Sequence, residues 1–444
     1  MTEPKASGSM ESVTTRVHEF MRRADAYDGR GVWIRRCTPA EINSQLERLA
    51  GKLAQRESLP LLGLTLAVKD NIDVSGLPTT AACPAFSYTP QVSAPVVQAL
   101  VDAGAIVVGK TNLDQFATGL NGTRSPYGAC ENFFDRKYIS GGSSSGSATA
   151  VAAGLCDFSL GTDTAGSGRV PAGFNNLVGL KPSCGLLSTS GVVPACRSLD
   201  CVSVFTSDLA LAKKVLRIAE GVDETDIYSR SRSQITTTYA APLPHEFRIG
   251  IPEADDLQFF GNAEYERLFG LACDRFEAAG AIPTTIDYGP FAETASLLYE
   301  GPWVAERLAA ISEFFERHSD LCLPVIRQII GGAENVTGVE AFRGLYNLAA
   351  HRRQTAQQWG RMDVMLLPTA GSIYTIEQLL ADPVGLNRNL GYYTNFVNLL
   401  DLCALAIPAG FTGGGLPFGV TLVAPAGNEA TLFAAAERFA GVIV

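Results

Sequence analysis

Between residues 138 and 182 the chain sets two turns rich in glycine and hydroxyl side chains around a short apolar run, and few folds can accommodate that. Gly141-Gly142-Ser143-Ser144-Ser145-Gly146 cannot lie inside a helix or a strand, because glycine costs entropy in both and serine competes for backbone hydrogen bonds. It reads as a loop. Residues 147 to 155, rich in alanine, then read as a short helix, and 158 to 161 as a short buried strand. A second turn follows, Asp163-Thr164-Ala165-Gly166-Ser167-Gly168, with Arg169 and Pro171 opening another helix. A strand, a tight glycine turn and a helix start leave unpaired backbone N–H groups aimed at one point, which suits a developing oxyanion. Flexible Gly/Ser linkers share this composition, but they do not alternate with apolar segments of strand and helix length.

A serine nucleophile needs a base, and the four histidines, His18, His245, His318 and His351, are all far from these turns in sequence. Lys69, ending the apolar run Leu64-Thr65-Leu66-Ala67-Val68-Lys69, is the better candidate. Desolvation at a strand end lowers a lysine's pKa and lets it act as a neutral base, although a lysine there can also reach solvent or pair with Asp70. By composition alone Ser143, Ser144 and Ser145 are equivalent as a relay between the two.

Three separated motifs, in order, resemble the amidase signature family: Pro60-Leu61-Leu62-Gly63 through Lys69-Asp70-Asn71, Gly141 through Ala148, and Gly161 through Arg169 with Gly179-Leu180-Lys181-Pro182. The likeness covers about residues 31 to 205. It implies a triad of Lys69, Ser143 in a cis peptide, and Ser167 as nucleophile, with an oxyanion hole at Thr164, Ala165, Gly166 and Ser167. No metal and no organic cofactor is implied. A serine hydroxyl donates and accepts at once, so Ser143 could pass a proton from Ser167 to Lys69 and later return it.

The segment 297 to 307, the loop Asn121-Gly122-Thr123-Arg124-Ser125-Pro126-Tyr127-Gly128 and the Thr-Ala-Gly-Ser turn at 164 to 167 resemble the allophanate hydrolases within that family. This narrower likeness implies a small carboxylated urea as substrate, held by Tyr299 and Arg307 with Asn121 and Gly122, an arginine being suited to bidentate capture of a carboxylate. If 297 to 307 is one helix, Tyr299 and Arg307 sit roughly 80° apart around it, unless Pro302 kinks or restarts it. Proteins of this kind commonly carry a further C-terminal domain, whereas this chain stops at Val444; a homodimer, part of a larger assembly through that missing domain, is expected. The alternatives are another amidase, acting on carboxybiuret, biuret or a simple amide, and an amidotransferase A-type subunit.

Hydrophobic residues at 46% against 18% charged indicate a large core, and a net charge of −10 argues against a nucleic-acid surface. Ten scattered cysteines without a CxxC pair read as reduced thiols. No apolar stretch reaches membrane-spanning length, so no membrane partner is expected and the chain reads as cytoplasmic. Gly104 through Thr111 fits the P-loop pattern, but its Ala-Ile-Val-Val is itself a strand where a P-loop must curl around phosphate.

Helices are expected at 39 to 54, where Thr38-Pro39-Ala40-Glu41 is a capping box, and at 95 to 103, 113 to 117 and 207 to 220; strands at 64 to 69, 105 to 108, 248 to 251, 365 to 369 and within 405 to 423. Such alternation predicts an α/β fold with a mixed, mostly parallel central sheet covered by helices on both faces. The expected organisation is an N-terminal segment at 1 to 30, with a tag remnant at 1 to 9, followed by one amidase domain over 31 to 444. Within it, 31 to 205 form the signature core, about 206 to 360 a helical insert that roofs the site, and 361 to 444 a return to the core.

Overall fold

The computed structural model describes residues 10–25, 27, 29–235 and 243–442. The expected tag remnant and the middle of the polar stretch 228 to 244 lie outside the described residues. One sheet of eleven strands runs through the rest. In chain order these are β1 (Trp33–Arg36), β2 (Thr65–Lys69), β3 (Ile106–Thr111), β4 (Phe158–Asp163), β5 (Val178–Lys181), β6 (Cys201–Thr206), β7 (Phe247–Pro252), β8 (Ala281–Ile286), β9 (Val364–Pro368), β10 (Leu402–Phe411) and β11 (Pro417–Pro425). In space they lie in the order β1-β3-β2-β4-β6-β5-β10-β11-β9-β7-β8.

β2 and β4 are buried along their whole length, and Leu66-Ala67-Val68 of β2 accordingly reads as an apolar run without alternation. The helix Pro39–Ala54 begins at the expected capping box, with Thr38 and Glu41 exchanging side-chain and backbone hydrogen bonds. β5 pairs with β10 through Gly179–Ala406, Leu180–Leu405 and Lys181–Ala404, so the two halves of the chain share one sheet. Helices flank that sheet; Ser145–Ala152 and Val170–Phe174 pack on each other, as do Leu209–Ala219 and Glu429–Gly441.

Three expectations need correction. The sheet is mixed but not mostly parallel: β2 is parallel to β3 and β4, and β7 to β8 and β9, while the other six pairings are antiparallel. The cause is connectivity, since β5 returns to β6 without a crossover helix and β10 folds back on β11 as a hairpin. The region after 206 is not wholly helical, because β7 and β8 extend the same sheet before the run of helices Gly289–Glu300, Trp303–His318, Pro324–Gly331 and Gly338–Ala356. The helix expected at 113 to 117 is a single turn, Gln115–Ala117, with Phe116 at φ 50°. There the Asp114 carboxylate accepts from the backbone N–H groups of Asn121, Gly122 and Arg124, which bends the chain back on itself.

The P-loop pattern is plain strand. Lys110, on β3, is buried and directs its amine to Asp70 at 3.2 Å and to the Thr79 hydroxyl at 3.0 Å.

Candidate active site

Lys69 ends β2 and is fully buried. Its Nζ lies 2.8 Å from Ser143 Oγ and 2.7 Å from Thr162 Oγ1 on the neighbouring strand β4. Burial lowers its pKa to about 7, against the opposing pull of Asp114, Asp200 and Asp163. Pairing with Asp70, the ordinary fate of such a lysine, does not occur; Asp70 is taken by Lys110 and Thr80.

The loop before the Ser145–Ala152 helix separates the three serines that composition leaves equivalent. Ser144 Oγ donates to the Thr162 carbonyl at 3.0 Å, and Ser145 Oγ donates to the Asn112 carbonyl at 3.4 Å. Ser143 alone meets the amine, and the Gly142–Ser143 peptide is cis. Gly142 has no substitute here: a Cβ would fall 2.2 Å from Asp114 Oδ2 and 2.6 Å from the Gly122 nitrogen.

The second turn is built on one carboxylate. Asp163, at the end of β4, accepts from the N–H of Gly166 at 2.8 Å and of Gly168 at 2.9 Å, and is bound by Arg169 through two contacts of 2.9 Å. Burial favours its neutral form, but the Arg169 guanidinium prevails and holds its pKa below the usual value. Thr164 Oγ1 donates to Asp200, which also accepts from the N–H of Ala195 at 2.8 Å. Asn398 donates to the carbonyls of Asp163 and Leu199, tying the turn to the C-terminal part of the chain.

Of the four residues expected to supply an oxyanion hole, one has its N–H already engaged. The Gly166 N–H is spent on Asp163, whereas those of Thr164, Ala165 and Ser167 meet no acceptor among the described residues. The Ser167 hydroxyl likewise makes no hydrogen bond among the described residues, and none joins it to Ser143. The arrangement offers a nearly neutral buried amine, a hydroxyl beside it, and a serine on a turn with unpaired N–H groups, the parts that acyl transfer to serine requires.

Tyr299 and Arg307 do not share a helix. The chain breaks at Gly301-Pro302, so Tyr299 lies near the end of Gly289–Glu300 and Arg307 in the second turn of Trp303–His318. They meet all the same, the guanidinium 5.4 Å from the Tyr299 ring centre. Arg307 is 2% exposed and donates to Thr118 Oγ1 at 3.2 Å. The loop residues fare differently. Gly122 donates its N–H to Asp114 and accepts from the Cys130 N–H, leaving no backbone polar group unused for a ligand. Asn121 gives one amide hydrogen to Asn387 at 2.7 Å, and its Oδ1 accepts from the Thr123 N–H and hydroxyl.

Thr162, Asp200 and Asn398 were not visible as site residues in the sequence. Thr162 had a signal, since it lies within the motif Gly161 through Arg169, but its partner is set by the register of β2 on β4.

A family model described as Amidase matches residues 16–433. The chain is 46% identical over 410 residues to the urea amidolyase of Lachancea kluyveri, covering 92% of this chain but only 22% of that protein's length. It is 33% identical over 419 residues to the A-type subunit of the glutamyl-tRNA(Gln) amidotransferase of Synechococcus sp. (strain RCC307), covering 87% of this chain and 84% of that one. Among solved structures, the allophanate hydrolase of Kluyveromyces lactis superposes with a TM-score of 0.91 at 41% identity, covering 96% of this chain and 70% of that chain.

Proposed function

The chain belongs to the amidase family, and from that premise we propose that it releases ammonia from the terminal amide of allophanate, urea-1-carboxylate, through a seryl acyl-enzyme. The observation that carries the chemistry is the Lys69 amine, brought to a pKa of about 7 and set 2.8 Å from Ser143. The substrate is argued from the likeness to the Kluyveromyces lactis allophanate hydrolase and from the buried Arg307 beside Tyr299.

Ser167 Oγ attacks the terminal carbonyl carbon while its proton passes to Ser143 and the Ser143 proton to neutral Lys69. The N–H groups of Thr164, Ala165 and Ser167 receive the oxyanion. As the tetrahedral intermediate collapses, the relay returns a proton to the leaving nitrogen and ammonia departs. Water attacks the acyl-enzyme by the same relay, giving N-carboxycarbamate, which loses carbon dioxide. Arg307 anchors the substrate carboxylate and Tyr299 borders it. Asn121 has one amide hydrogen left to offer, and Gly122 acts by shaping the loop.

A cytoplasmic homodimer completes the reading. No described helix is long and apolar enough to cross a membrane. Light scattering in solution tests the dimer, two chain masses being the expected result.

The likeness to an amidotransferase component supplies the competing reading, in which ammonia passes to a partner. Ammonia release by the purified chain, measured on allophanate beside biuret, malonamate and simple amides, separates the two. Allophanate should be the preferred substrate, and Ser167→Ala should abolish turnover. Full activity in that variant ends the nucleophile assignment.

A further inference from the structure

Arg307 is not the only guanidinium sealed in this region. Arg124, in the loop after the Gln115–Ala117 turn, is 3% exposed and donates to the Thr118 carbonyl at 2.9 Å and to the Pro383 carbonyl. Thr118 is thus shared, its carbonyl taken by Arg124 and its hydroxyl by Arg307. Among the described residues both side chains hydrogen-bond only to neutral oxygens, and the Nε of each is buried without a partner. The Tyr299 hydroxyl, beside Arg307, is also buried and unpartnered.

The nearby acids are engaged elsewhere. Asp114 is taken by the backbone N–H groups of Asn121, Gly122 and Arg124, Asp200 by Thr164, Ala195 and Cys196, and Glu306 by Ser198. Burial, with the Arg307 charge adding to it, pulls the Arg124 pKa down. Asp114 opposes that fall, and against burial nearby acids hold the Arg307 pKa above its usual value. Among the described residues neither guanidinium hydrogen-bonds to a carboxylate, however, and an anion at their free Nε groups would meet that unfilled need. An amide in the same place would relieve neither charge.

We propose that Arg124 is a second anion-facing residue beside Arg307, so that the substrate carboxylate lies against two guanidiniums and ionised substrates are selected over neutral ones of the same shape. This rests on the allophanate reading above and extends it to a residue that the sequence resemblance did not single out.

Allophanate and biuret test it, because they differ by a carboxylate in place of a carboxamide. The ratio of their kcat/KM values in Arg124→Gln should fall roughly tenfold or more, chiefly through the KM for allophanate, and Arg307→Gln should do the same. A purely structural Arg124 would depress both substrates alike; an unchanged ratio overturns the proposal. If Arg124→Gln does not fold, Arg124→Met and Arg124→Lys are compared: the uncharged variant should lose the preference and the lysine, which keeps the charge, should retain most of it; equal ratios in the two overturn the proposal. Malonate, a dianion without an amide, should raise the melting temperature of the unaltered protein and raise it less in the Arg124 variant. Should the unaltered protein show no preference for allophanate over biuret, the substrate reading itself fails, a result distinct from a preference that Arg307→Gln alone removes.

Discussion

A lysine amine shut away from water between Ser143 and Thr162 holds its proton poorly, and burial brings its pKa to about 7. Only the unprotonated amine can accept from Ser143, so kcat/KM should rise with pH through about 7; a profile flat across neutrality would remove Lys69 from the base role. Thr162 bears on the same limb. Its oxygen accepts from the ammonium, and a hydrogen bond to the charged form raises a lysine's pKa. Thr162→Val should therefore move the acid limb to lower pH, which a kcat/KM profile of the variant reads directly. Lys69 was legible as a candidate because it closes an apolar run, but that run alone left pairing with Asp70 open until the sheet gave Asp70 to Lys110. Thr162 was not, because nothing local says which neighbouring strand lies beside β2 or in what register.

At the scale of the element, the turn bearing Ser167 is held from beneath by Asp163 and Arg169, both fully buried. Removing one partner of such a pair leaves an uncompensated charge, so Asp163→Asn should cost about 3–5 kcal/mol in urea unfolding. It should also slow turnover, since the same carboxylate positions the Gly166 and Gly168 N–H groups on either side of Ser167. A variant as stable as the parent would show that the pair does not hold the turn. The sequence announced a turn here through its glycines, and Gly166, at φ 134° with a Cβ that would meet Thr394 Oγ1 at 2.4 Å, shows why one of them is needed. It did not announce that one of the four expected oxyanion donors would be consumed by the turn's own carboxylate, because that competition is settled by geometry within a few tenths of an ångström.

For the molecule as a whole, the helices after β8 return to the N-terminal half of the chain, where Arg307 meets Thr118. Phe314 on the Trp303–His318 helix meets Phe86 at 5.3 Å and Phe116 at 5.8 Å between ring centres, clamping the helix that carries Arg307 onto the core. Phe314→Ala should loosen that clamp and raise KM for allophanate more than it lowers kcat, as steady-state kinetics would show; an unchanged KM would mean that the roof is positioned by other contacts. Sequence alone settled the local matters: the capped helix at 39 to 54, the buried strands β2 and β4, and the two turns bearing Ser143 and Ser167, because propensity, capping and glycine stereochemistry act over a few residues. Only the tertiary structure decided that the sheet runs mostly antiparallel, that Tyr299 and Arg307 meet from separate helices, and that Arg124 lies beside them. Strand direction and charge proximity depend on how distant segments pack, and that packing minimises buried polar cost over the whole chain at once.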